Sequence, residues 1–308
     1  MIDSVLLVAF GGPTAPGEIR PFLENVTRGR RIPPERIEEV ARHYERMPGG
    51  RSPLNELTLI QARSLEALLA GANVRLPVFV GMRNWTPYLH ETLAAMSRRG
   101  RRRALGVILS AFRTEASWER YMEDVTVARA RTPQAPDVVF APPFFDHPLF
   151  VEAVADRVRA ALGRVPSPAR AAAPVVFTAH SVPTAMADAS PYVGDFTTTS
   201  RLVAERLGLV RWSRAFQSRS GNPRDPWLEP DVNDVVKDLA SQGVRHVVVA
   251  PIGFVCDHVE VLYDLDVEAR ATAAAAGLTL HRATAVNDHP RFIAALADLV
   301  QRAQPTAA

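Results

Sequence analysis

Residues 244–266 of this chain are VRHVVVAPIGFVCDHVEVLYDLD, a segment that joins an apolar run to an acidic one. The β-branched run 247–250 predicts a buried strand, and Pro251 and Gly253 predict a turn after it. The helix expected next carries four acids: Asp257, Glu260, Asp264 and Glu268. Their spacings of three, four and four residues place them on one face of an α-helix.

This acidic row has two interpretations. In the first, it is a solvated helix face, and the helix dipole stabilises the acids nearest the N-terminus of the helix. Alternatively, it is a row of carboxylates that handles a metal cation or moves protons. Neighbouring like charges four residues apart cost a few tenths of a kcal/mol each, roughly, so a sequence selected only for stability would alternate their sign. Spacing alone leaves both interpretations open.

Composition narrows the class of protein. The chain has 308 residues, 47% of them hydrophobic and 22% charged, with a formal net charge of +3, which is typical of a soluble globular protein. Lys237 is the only lysine among 36 basic residues, and an arginine bias of this kind does not by itself indicate nucleic-acid binding, which we do not expect. We find neither a run of about 20 apolar residues nor a signal-peptide pattern, so we expect a cytoplasmic protein, with peripheral membrane contact left open.

Cys256 is the only cysteine. A single cysteine excludes an intramolecular disulfide and a cysteine-ligated iron–sulfur cluster within this chain. We therefore expect no cluster. As a separate prediction, we expect no permanently bound cofactor.

Apolar runs alternate with helical patterns along the whole chain. The predicted strands are 4–10, 77–81, 104–110, 138–140, 175–179, 215–217, 247–250 and 279–283. The predicted helices are 18–26, 34–44, 56–70, 88–99, 117–130, 148–162, 197–207, 232–241, the acidic helix and 290–304. This alternation predicts an α/β fold with mostly parallel sheets.

The chain contains an internal echo, by which we mean two pairs of similar segments that occur in the same order. The matching pairs are VLLVAFGGP (5–13) with VVFTAHSVP (175–183), and RRRALGVILSAF (101–112) with GVRHVVVAPIGF (243–254). The echo predicts two similarly wound halves, although buried strands also resemble one another by composition alone. Related halves would place Phe10 and His180 at equivalent strand ends. Because ligands of open α/β sheets bind beyond the carboxyl ends of the strands, we expect a cleft with these two residues on opposite walls.

Few residues are candidates for chemistry. The chain lacks the glycine-rich dinucleotide and phosphate loops and the G-x-S-x-G nucleophile motif. His180 at one strand end and Glu260 just past another remain. One imidazole and one carboxylate make a weak, exchangeable site for a borderline divalent metal, which suits a protein that passes a metal on. We expect His258 to be a surface or capping residue. Asp146 and His147 fit a metal site and a turn before a helix equally well.

Several segments together resemble one known family, the ferrochelatases. They are TAHSVP (178–183), PIGFVCDHVEVLYDLD (251–266), AFGGP (9–13), RPFLENVTRGR (20–30), GRSPLN (50–55), GMRNWTPYL (81–89) and FQSRSGNPRDPWLEPDV (216–232). The resemblance covers nearly the whole chain. It is strongest to the bacterial branch that metallates coproporphyrin III, particularly its actinobacterial-type members.

This resemblance implies a fold and a reaction. The fold is two Rossmann-like halves, residues 1–145 and 146–308, each with a parallel four-stranded sheet flanked by helices and with the active-site cleft between them. The reaction is insertion of Fe²⁺ into coproporphyrin III in haem biosynthesis, by a protein that we expect to be a monomer. His180 and Glu260 are the paired iron-handling residues, and Asp264 extends the metal-handling row.

The resemblance also implies a set of porphyrin contacts. It assigns Ser52 and Tyr121 to the porphyrin and Phe10 to the cleft wall opposite His180. Some relatives carry a Tyr at the position of Phe10 that can ligate iron in the product, but Phe10 has no donor atom.

Donors for the propionates of the porphyrin are expected at the rim of the site. Candidate donors are Arg28, Arg30, Arg31, Ser52 and Tyr121, because guanidinium and hydroxyl groups suit carboxylates. A solvated basic turn explains the arginines equally well.

Metal insertion needs a base, because a free-base porphyrin must lose two pyrrole N–H protons, and an imidazole can serve at neutral pH. We also expect the ring to be distorted, so that its nitrogen lone pairs become accessible. Three alternatives stay open: a protoporphyrin IX ferrochelatase, a non-catalytic porphyrin or haem carrier, and a chelatase for another metal or a corrin precursor.

Overall fold

The structure, a computed structural model, describes residues 1–29, 32–220 and 225–304. The chain forms two compact units. The first contains Met1–Leu109, Ala116–Pro142 and the segment from Ile293 onwards. The second contains Ser110–Glu115 and Pro143–Phe292. A division at residues 145 and 146, with a cleft between the halves, stays a prediction.

Each unit is built on a parallel four-stranded sheet. The strands of the first are β1 (Ser4–Ala9), β2 (Val78–Met82), β3 (Arg103–Ile108) and β4 (Asp137–Phe140), in the order β2-β1-β3-β4. Those of the second are β5 (Val175–His180), β6 (Trp212–Gln217), β7 (His246–Ala250) and β8 (Thr279–Arg282), in the order β6-β5-β7-β8. All the pairings are parallel, as expected where helices connect consecutive strands.

Helices follow most strands. The helices of the first unit are α1 (Ile19–Thr27), α2 (Pro34–Glu45), α3 (Leu54–Gly71), α4 (Leu89–Arg98) and α5 (Arg120–Ala130). Those of the second are α6 (Pro148–Gly163), α7 (Ser167–Arg170), α8 (Thr184–Asp188), α9 (Tyr192–Leu207), α10 (Val232–Ser241), α11 (Val259–Val261) and α12 (Arg270–Ala275), and α13 (Pro290–Arg302) ends the described chain. Short 3₁₀ turns lie at Pro16–Glu18 and Pro48–Gly50, and a π-helical turn, Glu115–Glu119, precedes α5.

The predicted α/β class and parallel sheets are confirmed, and every predicted strand is present in the described residues within two or three positions. The internal echo is also confirmed at the level of topology. β1 and β5 hold the same place in their sheets, as do β3 and β7, so Phe10 directly after β1 and His180 at the end of β5 occupy corresponding strand ends.

Helices α7 and α8 were not predicted, and three predicted helices differ in extent or winding. Helix α5 begins at Arg120, after the π-helical turn, and not at 117. Helix α9 begins at Tyr192, five residues before the predicted start at 197, because Tyr192 and Phe196 both bury their rings and extend the apolar face toward the N-terminus. The predicted acidic helix is broken into three parts: α11, a π-helical segment Leu262–Ala269 and α12. A π-helix bonds residue i to i+5 instead of i+4, and a sequence pattern does not distinguish the two.

A buried apolar stripe holds this segment against the sheet. Its members recur every four residues: Val261, Leu265, Ala269 and Ala273, all fully buried. They pack in one core cluster with Val247 and Val249 of β7. Burial of each Val or Leu contributes about 1.5–3 kcal/mol, so the stripe fixes which side of the segment faces inward. Glu260, Asp264 and Glu268 each precede a member of the stripe by one residue and therefore lie along its border.

No helix in the described part of the chain is both long enough and apolar enough to cross a bilayer.

Candidate functional site

His180 ends the central strand β5, and its imidazole is held in one tautomer. The ring Nδ1 lies within hydrogen-bond distance of the Ser181 carbonyl oxygen. Because a carbonyl only accepts, Nδ1 carries the proton and donates it, which leaves the lone pair of Nε2 available in the neutral ring. The side chain is 28% exposed. His180 therefore presents an open basic nitrogen at the carboxyl end of the sheet.

The backbone of His180 has a second anchor. The hydroxyl of Tyr192 on α9 donates to the His180 carbonyl at 2.8 Å. Tyr192 is buried, and burial raises the pKa of its hydroxyl, with the hydrogen bond to His180 acting in the opposite direction. This hydroxyl therefore stays protonated and serves as a permanent donor.

Glu260 faces His180 from the start of the broken helix. Its Oε2 lies 3.9 Å from Nε2 of His180, and its side chain is about half exposed. This separation is too long for a hydrogen bond. A first-row ion such as Zn²⁺ lies about 2.0–2.2 Å from nitrogen and oxygen ligands, so two ligands of one ion are at most about 4.3 Å apart. The His180–Glu260 pair fits within that limit and leaves space for a proton or a metal between the two side chains.

His258 sets where this helix begins. Its Nδ1 accepts from the backbone N–H of Val261 at 3.3 Å, and its ring packs edge-on against Phe254 with centroids 4.8 Å apart. Burial lowers the pKa of His258, so the ring stays neutral and able to accept. The prediction of a capping residue is confirmed.

Asp264 is the most perturbed carboxyl group at the site. Burial raises its pKa to about 7, and the neighbouring carboxylates Glu260 and Glu268 add to the increase. Hydrogen bonds from the Ser218 hydroxyl and from Gln217 Nε2, the latter at 3.4 Å, act in the opposite direction. A carboxyl group with a pKa near neutrality can both take up and release a proton in the pH range where a cell works.

Three residues that the sequence analysis did not select support Asp264. Thr178 Oγ1 donates to Gln217 Oε1 at 2.8 Å, which orients the buried amide so that its NH₂ group faces Asp264. Ser218, the next residue in the chain, has a φ of +63°, a backbone conformation that residues other than glycine rarely adopt. Its hydroxyl donates to Asp264. Thr178, Gln217 and Ser218 all lie in segments that carry the family resemblance, and Gln217 ends a strand. Sequence analysis could therefore have selected them as candidates for the site.

Asp257 does not belong to the acidic row. The sequence analysis placed it on the helix face with the other acids, but it precedes α11 and is buried. Its carboxylate pairs with Arg282 and accepts from Asn287. It is therefore a structural anion. Within the described residues, no group of three or more His, Cys, Asp or Glu side chains is arranged to hold a metal ion. The assignment of His180, Glu260 and Asp264 to metal handling stays a prediction.

The predicted porphyrin contacts lie in the first unit. Phe10 is 39% exposed and packs edge-on against Phe22, with centroids 6.4 Å apart. Ser52 is buried, and its hydroxyl accepts from the N–H of Leu54 at 3.3 Å. Arg28 is exposed at the end of α1. Porphyrin binding by these residues stays a prediction, and Arg30 and Arg31 lie outside the described residues.

Tyr121 is more deeply buried than a rim residue. It lies in the apolar core of the first unit, and the guanidinium of Arg83 sits 4.3 Å from the centre of its ring. Arg83 also pairs with Asp124 at 2.5 Å. Contact between Tyr121 and a porphyrin stays a prediction. His147 caps α6 by accepting from the N–H of Leu149 at 3.2 Å, which confirms the interpretation as a turn before a helix.

Comparison with solved structures shows which proteins share this fold. The fold is similar to that of SirB from Bacillus subtilis, solved with Fe³⁺, with a TM-score of 0.60 at 14% identity over 98% of this chain and 95% of SirB. CbiX, described as the terminal enzyme of sirohaem biosynthesis in denitrifying bacteria, gives a TM-score of 0.55 at 14% identity over 98% of this chain and all of CbiX. This chain thus shares its fold with SirB and CbiX.

Sequence comparison gives the family. The Ferrochelatase family model matches residues 3–304. Coproporphyrin III ferrochelatase of Mycolicibacterium vanbaalenii is 45% identical over 303 residues, 97% of this chain and 89% of that protein. The protein of that name from Mycobacterium tuberculosis is 47% identical over 294 residues, 94% of this chain and 83% of that protein. This chain belongs to the ferrochelatase family.

Proposed function

We propose that this protein inserts Fe²⁺ into coproporphyrin III and produces Fe-coproporphyrin III in haem biosynthesis. The observation that carries the proposal is the pairing of His180 Nε2, with its lone pair available, and the Glu260 carboxylate at 3.9 Å. The coproporphyrin substrate is supported by relatives of 45–47% identity that bear that name.

The reaction replaces two pyrrole N–H protons of the porphyrin by one Fe²⁺, so two protons must leave as iron enters. In this proposal His180 Nε2 accepts a proton from the ring, because its lone pair is not used by the tautomer that the Ser181 carbonyl selects. The anchored backbone of His180 keeps the imidazole aimed at one point. Proton removal at a fixed position is what general-base catalysis requires.

The carboxylates then serve the iron and the released protons. Glu260, half exposed, is the group that replaces water around Fe²⁺ as a hard oxygen ligand. Asp264, with a pKa of about 7, accepts a proton at neutral pH and passes it toward solvent along the row that includes Glu268. In this proposal Asp264 also serves as a metal-handling residue beside His180 and Glu260.

We propose that Phe10, Arg28, Arg30, Ser52 and Tyr121 bind the porphyrin, the polar members through its propionates. Phe10 supplies an apolar contact, and because it has no donor atom it leaves the product iron without a ligand from that side chain. Four propionates on coproporphyrin make more use of such a polar rim than two on protoporphyrin.

The proposal also covers the oligomeric state, the location, the partners and the cofactors of the protein. We propose a monomeric cytoplasmic enzyme that binds no nucleic acid and holds no resident cofactor or iron–sulfur cluster, with Fe²⁺ as a substrate. The single cysteine, Cys256, is buried and provides one of the several thiolates that a cluster needs.

The test is a metallation assay that follows loss of coproporphyrin fluorescence on addition of Fe²⁺ under anaerobic conditions. We expect turnover by wild type and a decrease of at least about 100-fold in kcat for His180→Ala and for Glu260→Ala. His289→Ala and Glu205→Ala are the matched controls, because both residues form ion pairs elsewhere in the second unit. Full activity in both site variants would refute the roles proposed for His180 and Glu260. Tight porphyrin binding without turnover in wild type would favour a porphyrin carrier, and faster turnover of protoporphyrin IX would reassign the substrate.

A further inference from the structure

Arg282 connects two separate points of the acidic segment. It is the last residue of the edge strand β8, and its side chain is only 11% exposed. Its Nη1 donates to Asp257 Oδ1 and its Nε donates to Asp266 Oδ2, both at 2.8 Å. One guanidinium thus joins the turn before α11 to the middle of the π-helical segment.

The Asp257 end of this connection is fixed from several sides. Asp257 Oδ2 accepts from Asn287 Nδ2 at 2.9 Å, and Oδ1 also accepts from the N–H of Ala285 at 3.2 Å. The backbone N–H of Asp257 donates in return to Asn287 Oδ1 at 2.8 Å. The turn that leads into Glu260, three residues later, is therefore attached to the chain that follows β8.

The Asp266 end lies within the π-helical segment, two residues after Asp264. Asp266 accepts from Arg282 through Oδ2 and from Arg270 through Oδ1, the latter at 2.9 Å. The side chain of Arg270 is about half exposed, whereas that of Arg282 is 11% exposed. Of these two partners, Arg282 alone also reaches Asp257.

We propose that Arg282 is a positioning residue for metal insertion, which holds Glu260 and Asp264 at the places where they meet the metal and the protons. Glu260 lies between the two points that Arg282 anchors, and Asp264 lies two residues before the second. The apolar stripe fixes the inward face of the segment but not its displacement along its own axis. A guanidinium that bonds carboxylates at both points prevents that displacement.

The π-helical geometry explains why such an anchor is needed. A π-helical segment of eight residues is rare, and its i to i+5 hydrogen bonds compete with an α-helical arrangement of the same residues. A change to α-helical winding would rotate Asp264 and Glu268 relative to Glu260. The side chain of Arg282 contacts Asp257, Asp266 and the Ala283 carbonyl, and its described contacts do not include His180, so we expect it to act on the positions of the carboxylates.

The inference rests on the proposed function, and its test separates the two. Arg282→Met keeps the length of the aliphatic stem and removes both ion pairs, and Arg282→Lys keeps the charge but not the two-carboxylate geometry. Arg291→Met is the matched control, because Arg291 also pairs with two carboxylates, Glu152 at 2.7 Å and Asp156 at 3.2 Å, away from the acidic segment. Each variant is assayed for kcat, for KM toward coproporphyrin and Fe²⁺, and for Co²⁺ affinity by calorimetry without porphyrin.

We expect Arg282→Met to lower kcat and weaken Co²⁺ binding by about 10- to 100-fold while KM for coproporphyrin changes less than twofold, with Arg282→Lys between it and wild type. Arg291→Met should match wild type. A kcat and Co²⁺ affinity within twofold of wild type in folded Arg282→Met would overturn the inference, and so would an effect confined to the KM for coproporphyrin.

A second variant, Asp266→Asn, keeps the test possible if Arg282→Met does not fold. This variant retains the Arg282–Asp257 pair, and a change below twofold in its kcat and Co²⁺ affinity overturns the inference. Absence of turnover in wild type would refute the proposed function, and the Co²⁺ measurements would then decide the role of Arg282 alone.

Discussion

Asp264→Asn should stabilise the protein at alkaline pH while it damages metal insertion. The carboxyl of Asp264 has a pKa of about 7 in the fold, raised first by burial, against an ordinary value of 3.8. The two values differ by about three, and one pKa unit corresponds to about 1.4 kcal/mol. The ionised carboxylate therefore destabilises the folded protein by at most about 4 kcal/mol. Asn has nearly the same shape, can still accept from Ser218, and carries no charge.

The pH dependence fixes the sign of the effect. Between about pH 4 and pH 7 the folded state retains a proton on Asp264 that the unfolded state has lost. The free energy of unfolding that this group contributes therefore falls as the pH rises through that window, and it is constant above it. The advantage of Asp264→Asn over wild type should be about 1.5 kcal/mol at pH 5 and about 4 kcal/mol at pH 8.

Urea unfolding at pH 5 and pH 8 measures this difference directly, with thermal unfolding as a second observable. A change of about 2–3 kcal/mol between the two pH values corresponds to about 3–5 °C in Tm for a chain of this length. Asp234→Asn is the control, because Asp234 is exposed and pairs only with Lys237 among the described ion pairs. The metallation rate of Asp264→Asn should fall about 10-fold or more at pH 7, since an amide does not accept a proton. An advantage that is equal at the two pH values would refute the reasoning.

Two further variants test the support of His180. Tyr192→Phe removes the donor to the His180 carbonyl and should cost about 0.5–1.5 kcal/mol in urea unfolding, with a lower kcat and an unchanged KM for coproporphyrin; unchanged stability and kcat would contradict this role. Gly253→Ala would place a Cβ 2.7 Å from the Cβ and 2.8 Å from the Cα of Ala179, so we expect about 1–3 kcal/mol of destabilisation and reduced metallation. A crystal structure of that variant with β5 unmoved and wild-type activity would show that the close packing is not required.

The architecture and the two central residues are predictable because local sequence encodes them. Runs such as 247–250 are apolar and β-branched, and their burial in a parallel sheet follows from the alternation with helices. The repeated order of segments locates His180 at a strand end, and the carboxyl ends of parallel strands meet at one sheet edge. The proximity of His180 and Glu260 thus follows from topology plus two short motifs.

The supporting contacts are not predictable in this way, because they join residues far apart in sequence. Asp264 meets Ser218 across 46 positions, and Asp257 meets Arg282 across 25. Periodicity assigned Asp257 to the helix face, since spacing alone does not distinguish an acid on the helix from one in the turn before it. The π-helical winding is hidden for the same reason: an apolar residue at every fourth position, as from Val261 to Ala273, is compatible with α- and π-helical turns alike.

Three unfavourable features coincide at Asp264: the π-helical stretch that contains it, the raised pKa of its partly buried carboxyl, and the φ of +63° at its partner Ser218. Each one lowers stability, and a sequence selected only for folding would replace Asp264 by an uncharged residue and Ser218 by glycine. Three other features stabilise this arrangement: the ion pairs of Arg282, the buried apolar stripe and the Thr178–Gln217 hydrogen bond. Unfavourable geometry that is maintained by so many neighbours is expected where a carboxyl must be ready to exchange a proton, and not where it only faces solvent. The combination thus favours the metal- and proton-handling interpretation of the acidic row over the solvated-face interpretation, and a wild-type kcat in Asp264→Asn would reverse that preference.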